Sequence, residues 1–372
     1  MRQTQSVAAG LVRIAAGAGL PDRAPIWAQD MSFSVPDQVV EQLEARGALR
    51  EEARALRLRC AYTDQRPASA RLPIPYTMIP APVRSLLASA FGRWKRRSMD
   101  DWAAFPRWPL DLSADLLDDL ACPGNSPFAE GPTPVILSHD LDSEEGLRNL
   151  VGLFLREEEA VGARSTSYVV PCAWPLDHAL LEEVVRRGHE LGIHGYDHSN
   201  LTPYLPVAEQ ARRIEAALDL ARRYGMTGYR APSLVRTRQL LRSLAPHYRY
   251  DSSIPTSGGL FPVPNNGCAS ARPFRIEGIM EIPLSMPRDG SLRFLGFSAP
   301  EILALWLDCA EKIARSGGVV VLLTHCEERF CGNARMMDAY RRFLDTIAQD
   351  KRFAWSTPAA VLDTVSRRAD AA

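Results

Sequence analysis

Pro134-Val-Ile-Leu-Ser-His-Asp-Leu-Asp142 is a short apolar run that ends in His139, Asp140 and Asp142, and the helical pattern Glu144–Val161 follows it at once. An apolar strand feeding an amphipathic helix is half of a β-α-β unit. The alternation continues to the end of the chain. Ser167–Val170 and Glu190–His194 are predicted strands, with helices over Asp177–Arg187 and Val207–Tyr224. Gly228–Arg230 and Tyr248–Ser252 are strand ends, Ala299–Arg315 is a helix and Val319–Leu323 a buried strand. A helix over Arg335–Ala348, a strand over Arg352–Trp355 and a helix capped by Thr357-Pro358 complete the series. Repeated units of this kind call for an α/β fold with a mostly parallel sheet and helices outside, either a barrel or a doubly wound sheet.

Upstream the texture differs. From Met1 to about Glu130 the chain is rich in Pro and Arg with weak periodicity, and Cys122-Pro-Gly-Asn-Ser-Pro and Gly131-Pro-Thr-Pro134 read as a linker. The expected division is an N-terminal, mostly helical or irregular accessory region over 1–130 and a catalytic domain over 131–372. The clearest upstream helix is Pro82–Arg97, where Val83, Leu86, Leu87, Ala90, Phe91 and Trp94 recur at helical spacing among arginines. A basic amphipathic helix either docks on its own domain, which is the expectation here, or makes a peripheral membrane contact through 82–97. The aromatic stretch Trp102–Trp108 is expected to pack between the two regions, with a sugar-stacking lip as the alternative.

Composition narrows the function classes. The 372 residues are 46% hydrophobic and 24% charged, which suits a globular chain with a sizeable core. Basic and acidic residues balance at 44 each, so bulk charge does not point to nucleic acid. Seven scattered cysteines form no disulfide framework and fit a reducing compartment. Arg13 interrupts the one signal-like stretch, and no apolar run approaches the roughly 18 residues of a membrane span. The expected location is the cytoplasm.

In such folds active sites collect where strands end. Asp140 and Asp142 are two apart, so an extended backbone points both to one face. Two adjacent carboxylates are unfavourable unless a cation neutralises them. Capping the next helix needs only one of Asp142 and Ser143. His194 and His198 are four apart, and a helical turn after the strand would bring both imidazoles to one side. Two histidines with a carboxylate suit a borderline ion such as Zn²⁺. His325 follows a run of apolar strand residues and lies at the sheet's mouth. Cys326 and Cys331 lack the further ligands of a second metal site.

Five motifs in this order resemble the polysaccharide deacetylase family, the NodB-homology carbohydrate esterases. They are Ser138-His-Asp-Leu-Asp142, Gly188-His-Glu-Leu-Gly-Ile-His194-Gly-Tyr-Asp-His198, Gly228-Tyr-Arg-Ala-Pro-Ser233, Tyr250-Asp-Ser-Ser253 and Leu322-Leu-Thr-His325. The resemblance implies a distorted (β/α)7-type barrel and metal-dependent removal of an N-acetyl group, or alternatively N-formyl, from a small or carrier-linked amino sugar. It implies Asp142, His194 and His198 as metal ligands, the ion being Zn with Co, Ni or Mn as alternatives. Asp140 would be the general base, Arg230 its partner, and His325 the acid. Ser233 would lie at the oxyanion site and Leu323 would line the acyl pocket. Two departures stand out. One residue is inserted between the carboxylates, as in a subgroup with intracellular and cyclic-amidase-like members. The family's later Asp-x-x-Asp-Trp element has no counterpart, which leaves Asp251 as the nearest residue to orient His325. A non-sugar cyclic amide is the alternative substrate. A non-catalytic carbohydrate-binding domain is the alternative from another class.

Overall fold

The computed structural model describes residues 66–72, 76–96, 126–128, 130–256, 268 and 270–370. The segment Trp102–Trp108, residues 1–65 and residues 122–125 of the expected linker lie outside the described residues. Nine strands form one sheet: β1 (Thr133–Leu141), β2 (Thr166–Val169), β3 (Glu190–Ile193), β4 (Gly228–Tyr229), β5 (Tyr250–Asp251), β6 (Phe274–Ile276), β7 (Ile279–Glu281), β8 (Val320–His325) and β9 (Phe353–Ser356). Their spatial order is β6-β7-β5-β4-β3-β2-β1-β8, with β9 also paired to β1. All pairings are parallel except β6–β7. That hairpin turns on Glu277 and Gly278, both at positive φ, as a two-residue primed turn requires. Beyond β7 the chain runs beside β8. Met286 N donates to the Val321 carbonyl at 3.2 Å, and Val321 N donates to Ser285 Oγ at 2.8 Å. This contact curls the sheet into a distorted barrel.

Helices cover the outside. After α1 (Ala81–Arg96) comes α2, helical over Glu144–Asn149, widened to a π-turn at Leu150–Phe154 and α-helical again over Leu155–Ala160. The rest are α3 (His178–Arg186), α4 (Val207–Tyr224), α5 (Arg238–Leu244), α6 (Asp289–Phe294), α7 (Ala299–Ser316), α8 (Ala334–Gln349) and α9 (Pro358–Asp370). None among the described residues is long and apolar enough to cross a membrane.

The pleat divides β1 between two cores. Val135, Leu137 and Leu141 join the large cluster between sheet and helices, whereas Ile136 joins the barrel interior with Tyr168, Tyr250, Val321 and Leu323. Even-numbered residues of β1 therefore face inward, which puts Ser138, Asp140 and Asp142 on one side. Two large rings fill the interior below them, their hydroxyls 3.1 Å apart. A Cβ at Gly192 would overlap the Tyr168 ring, and one at Gly228 the Tyr250 ring. These two glycines are thus the space the rings occupy.

Helix α1 docks on the barrel, but not through its predicted apolar stripe. Ala88 is buried, Gly92 lies against the Phe294 carbonyl, and Arg96 donates to the Gly296 carbonyl and pairs with Glu301. Leu86, Leu87 and Trp94 remain 70%, 61% and 59% exposed among the described residues. Small residues allow the close approach, and the large ones are left outside it.

Candidate active site

Four strand ends converge above the tyrosine pair. In the register of β1 with β8, Asp140 stands opposite His325. His194 follows β3 directly, and Arg230 follows β4. Asp140 is buried, and burial would raise its pKa. The charges of His194 and Arg230 outweigh that and hold the carboxyl below its usual range. Arg230 is fully buried and sits 4.0 Å over the Tyr168 ring. It donates to Asp140 Oδ1 at 3.0 Å, to Ser138 Oγ at 3.1 Å and to the Ser252 carbonyl at 3.0 Å. The carboxylate is therefore kept ionised and pointed by a cation that has no freedom of its own.

Asp142, His194 and His198 form the one grouping among the described residues with the spacing for a metal ion. Ser143 caps α2, accepting from Gly146 N at 3.2 Å, and so frees Asp142 from capping. Asp142 Oδ1 is buried without a hydrogen-bond partner, yet it lies 3.1 Å from His198 Nε2 and 3.6 Å from His194 Nε2. Donor atoms around a tetrahedral ion are about 3.4 Å apart, so these separations fit. Both imidazoles have their other nitrogen engaged. His194 Nδ1 donates to the Arg230 carbonyl at 2.9 Å, and His198 Nδ1 meets the Tyr76 hydroxyl at 2.6 Å. Each Nε2 is left for a ligand, the arrangement a metal site needs.

The two histidines come together without the expected helical turn. The backbone after β3 is a loop in which Gly195 (φ 69°), His198 (φ 59°) and Asn200 (φ 62°) are left-handed. A Cβ at Gly195 would overlap the Pro232 ring. Ser233 (φ 52°) and Leu234 (φ 59°) across the cavity are left-handed too. Strained non-glycine backbone concentrated around one site is a signature of function.

The residue that orients His325 is Asp289, not Asp251. Asp289 is fully buried at the start of α6; its Oδ1 lies 2.7 Å from His325 Nδ1, and its Oδ2 accepts from His325 N at 2.8 Å. Burial alone would lower the His325 pKa, but the Asp289 charge and bond lift it to about 9. Asp251 lies on the other face of its strand. Its neighbour Tyr250 occupies the barrel interior, while Asp251 accepts from Ser253 Oγ at 2.6 Å and shares a buried pocket with Glu281. Leu323 also departs from expectation. It points inward but one layer below His325, packed in the interior cluster and outside the cavity lining. Ser233 does line the cavity, and its Oγ accepts from Asn200 Nδ2 at 3.1 Å.

Asp289, Tyr76 and Glu327 escape a reading of the sequence. Tyr76 comes from the accessory region and reaches a histidine 122 residues away. Glu327 Oε1 accepts from Asp142 N at 3.2 Å and Ser143 Oγ at 2.8 Å, fixing the turn that carries Asp142. The Pro-Arg-Asp-Gly run at 287–290, following the β7 end, was the only available signal for Asp289. Cys326 and Cys331 are buried free thiols.

One cavity of about 770 Å³ opens above these strand ends. Asp140, Asp142, His194, His198 and His325 form its floor. Ser69, Leu72, Tyr76, Met78, Arg84 and Leu87 lie in its roof, and Trp174, Phe294 and Phe330 lie among its walls.

No protein-family model matches the chain, and no curated protein matches it in sequence. Solved structures do match. A protein classed as a polysaccharide deacetylase from Pseudomonas aeruginosa PAO1 superposes with a TM-score of 0.54 at 15% identity, covering 70% of this chain and 98% of that one. One classed likewise from Mycobacterium smegmatis gives 0.52 at 19%, covering 65% and 92%. This chain has their fold. PuuE allantoinase shares it as well, with a TM-score of 0.53 at 15% identity over 70% of this chain and 98% of that one.

Proposed function

We infer that the protein is a metal-dependent amide hydrolase that removes an N-acetyl group, with N-formyl as the alternative, from an amino sugar or its conjugate. The observation that carries this reading is the pairing of two opposed proton carriers across one candidate metal site. Asp140 is held ionised by Arg230, and His325 is held protonated by Asp289. An ion at Asp142, His194 and His198 supplies Lewis acidity toward the amide carbonyl and the attacking water. Asp140 takes the proton of that water, and His325 gives one to the departing nitrogen. Arg230 keeps the Asp140 carboxylate aimed, and Asp289, accepting from His325 Nδ1, keeps the ring charged with its Nε2–H free to donate. Tyr76 and the Arg230 carbonyl fix the two ligand imidazoles.

The test is the metal content of the purified protein beside His194→Ala, with acetate release from N-acetylated amino sugars and, in parallel, hydrolysis of allantoin. Near one equivalent of Zn²⁺ or a similar ion, lost in the variant, together with acetate release supports the reading. Allantoin turnover without acetate release replaces the sugar amide with a cyclic one. No metal in either protein after reconstitution leaves a binding domain on a hydrolase fold.

A further inference from the structure

The cavity roof and rim carry two guanidinium groups with no carboxylate partner. Arg84 projects from α1 and Arg329 from the loop after β8, and both line the cavity. Several other arginines among the described residues are paired with a carboxylate: Arg187 with Glu159, Arg213 with Asp197, Arg96 with Glu301 and Arg230 with Asp140. Among the described residues Arg84 and Arg329 each have only an aromatic neighbour. Arg84 lies 5.3 Å from the Tyr76 ring centre, with its Nε buried and unbonded, and Arg329 lies 4.7 Å from that of Phe330. The cavity carboxylates cannot neutralise them. Asp140 is held by Arg230, Asp142 belongs to the metal triad, and Asp197 takes Arg213. The Arg84 Nε, a buried donor left unpaired in a cavity, is satisfied by what binds there, and the exposed Arg329 adds a second positive charge at the rim.

Tyr76 sets the distance. Its hydroxyl touches His198 Nδ1 while Arg84 sits over its ring, so the guanidinium stands about one phenol ring from a metal-ligand imidazole. We propose that Arg84 and Arg329 bind a phosphate carried by the amide substrate a few bonds from the reacting nitrogen. An amino-sugar 1-phosphate, with the amide on C2 and the phosphate on C1, has that spacing, as does its diphosphate ester. The identity of the reacting amide rests on the deacetylase reading above; the anion subsite does not.

Two measurements separate these claims, made on the metal-loaded full chain and on Arg84→Gln, Arg329→Gln and the double variant. The first is binding of inorganic pyrophosphate by calorimetry. The second is the ratio of kcat/KM for N-acetylglucosamine 1-phosphate over N-acetylglucosamine. Pyrophosphate is expected to bind and to weaken at least about tenfold in the double variant. The ratio is expected at about 10–100, the worth of one or two charge-assisted bonds, and to fall toward one. Arg84→Lys should keep most of the ratio, because charge rather than stacking is required. Unchanged metal content shows that the variants are folded. Pyrophosphate binding that the double variant leaves intact overturns the subsite. A ratio of one in the unmodified protein, with pyrophosphate binding lost in the double variant, assigns the anion to a free ligand and overturns the substrate phosphate. No acetate from either sugar, with arginine-dependent pyrophosphate binding, sinks the deacetylase reading and leaves the subsite standing.

Discussion

Two histidine–carboxylate networks lie back to back on β1. On the outer face His139 is fully buried, its Nδ1 2.8 Å from Thr324 Oγ1 and its Nε2 2.8 Å from Glu158 Oε1. Tyr340 donates to the same carboxylate oxygen at 2.8 Å, and His189 stands 3.6 Å from the other. Burial would raise Glu158, but the His139 charge and bond hold it below its usual range. On the inner face the residue types are the same and the outcome differs. His194 and His198 each have one nitrogen committed and one not, Asp142 Oδ1 lacks a hydrogen bond, and a cavity lies above. Both nitrogens of His139 are committed, and its side chain is fully buried. Composition does not separate structure from chemistry here; unused bonding capacity facing an accessible space does.

The contrast can be broken or sharpened. Asp140→Asn should lower kcat by about 10⁴ with metal still bound, as loss of a general base predicts; a metal-free variant would exchange the roles of the two aspartates. Glu158→Gln should act through folding, lowering stability by about 3 kcal/mol in denaturant titrations while kcat per folded molecule stays within about threefold. A fall in kcat like that of Asp140→Asn would merge the two networks. Asp289→Asn tests the polarity of His325. In metal-free protein His325 should titrate near about 9, and the variant should bring it down toward the ordinary value of roughly 6.5. The sign for stability follows: a raised histidine pKa stabilises fully below about 6.5 and loses its contribution as pH rises through about 9. In the active enzyme the alkaline limb should move to lower pH in the variant, and an unmoved limb removes His325 as the acid. Tyr76→Phe should weaken metal affinity by about tenfold in chelator competition, as loss of an outer partner does; unchanged affinity would make the Tyr76 contact incidental.

Much of this was legible in the sequence because it depends on short range. The period-two pleat of one strand brings Asp140 and Asp142 together, and Ser143 takes the cap as the neighbouring helix requires. The alternation of strands and helices gave the barrel its order. Asp251 was misjudged because β5 is two residues long, too short for its own pattern to fix which side faces in; the register with Tyr229, itself in the outer cluster, decides it. Asp289 depends on how the chain leaves the β6–β7 hairpin, whose Glu-Gly turn lacks the usual Asn-Gly signal. The Tyr76 contact spans 122 residues and belongs to a segment with no periodicity of its own. The histidine pair was foreseen, and its cause was not: a left-handed loop does what a helical turn was expected to do.

That loop has an evolutionary consequence. A left-handed histidine costs about 1 kcal/mol relative to glycine, and His198 bears it only while a ligand is needed there. A descendant released from selection for catalysis would gain folding stability by exchanging His198 for Gly. Under the proposed function, decay of the activity would begin at His198 itself, with the barrel left more stable than before.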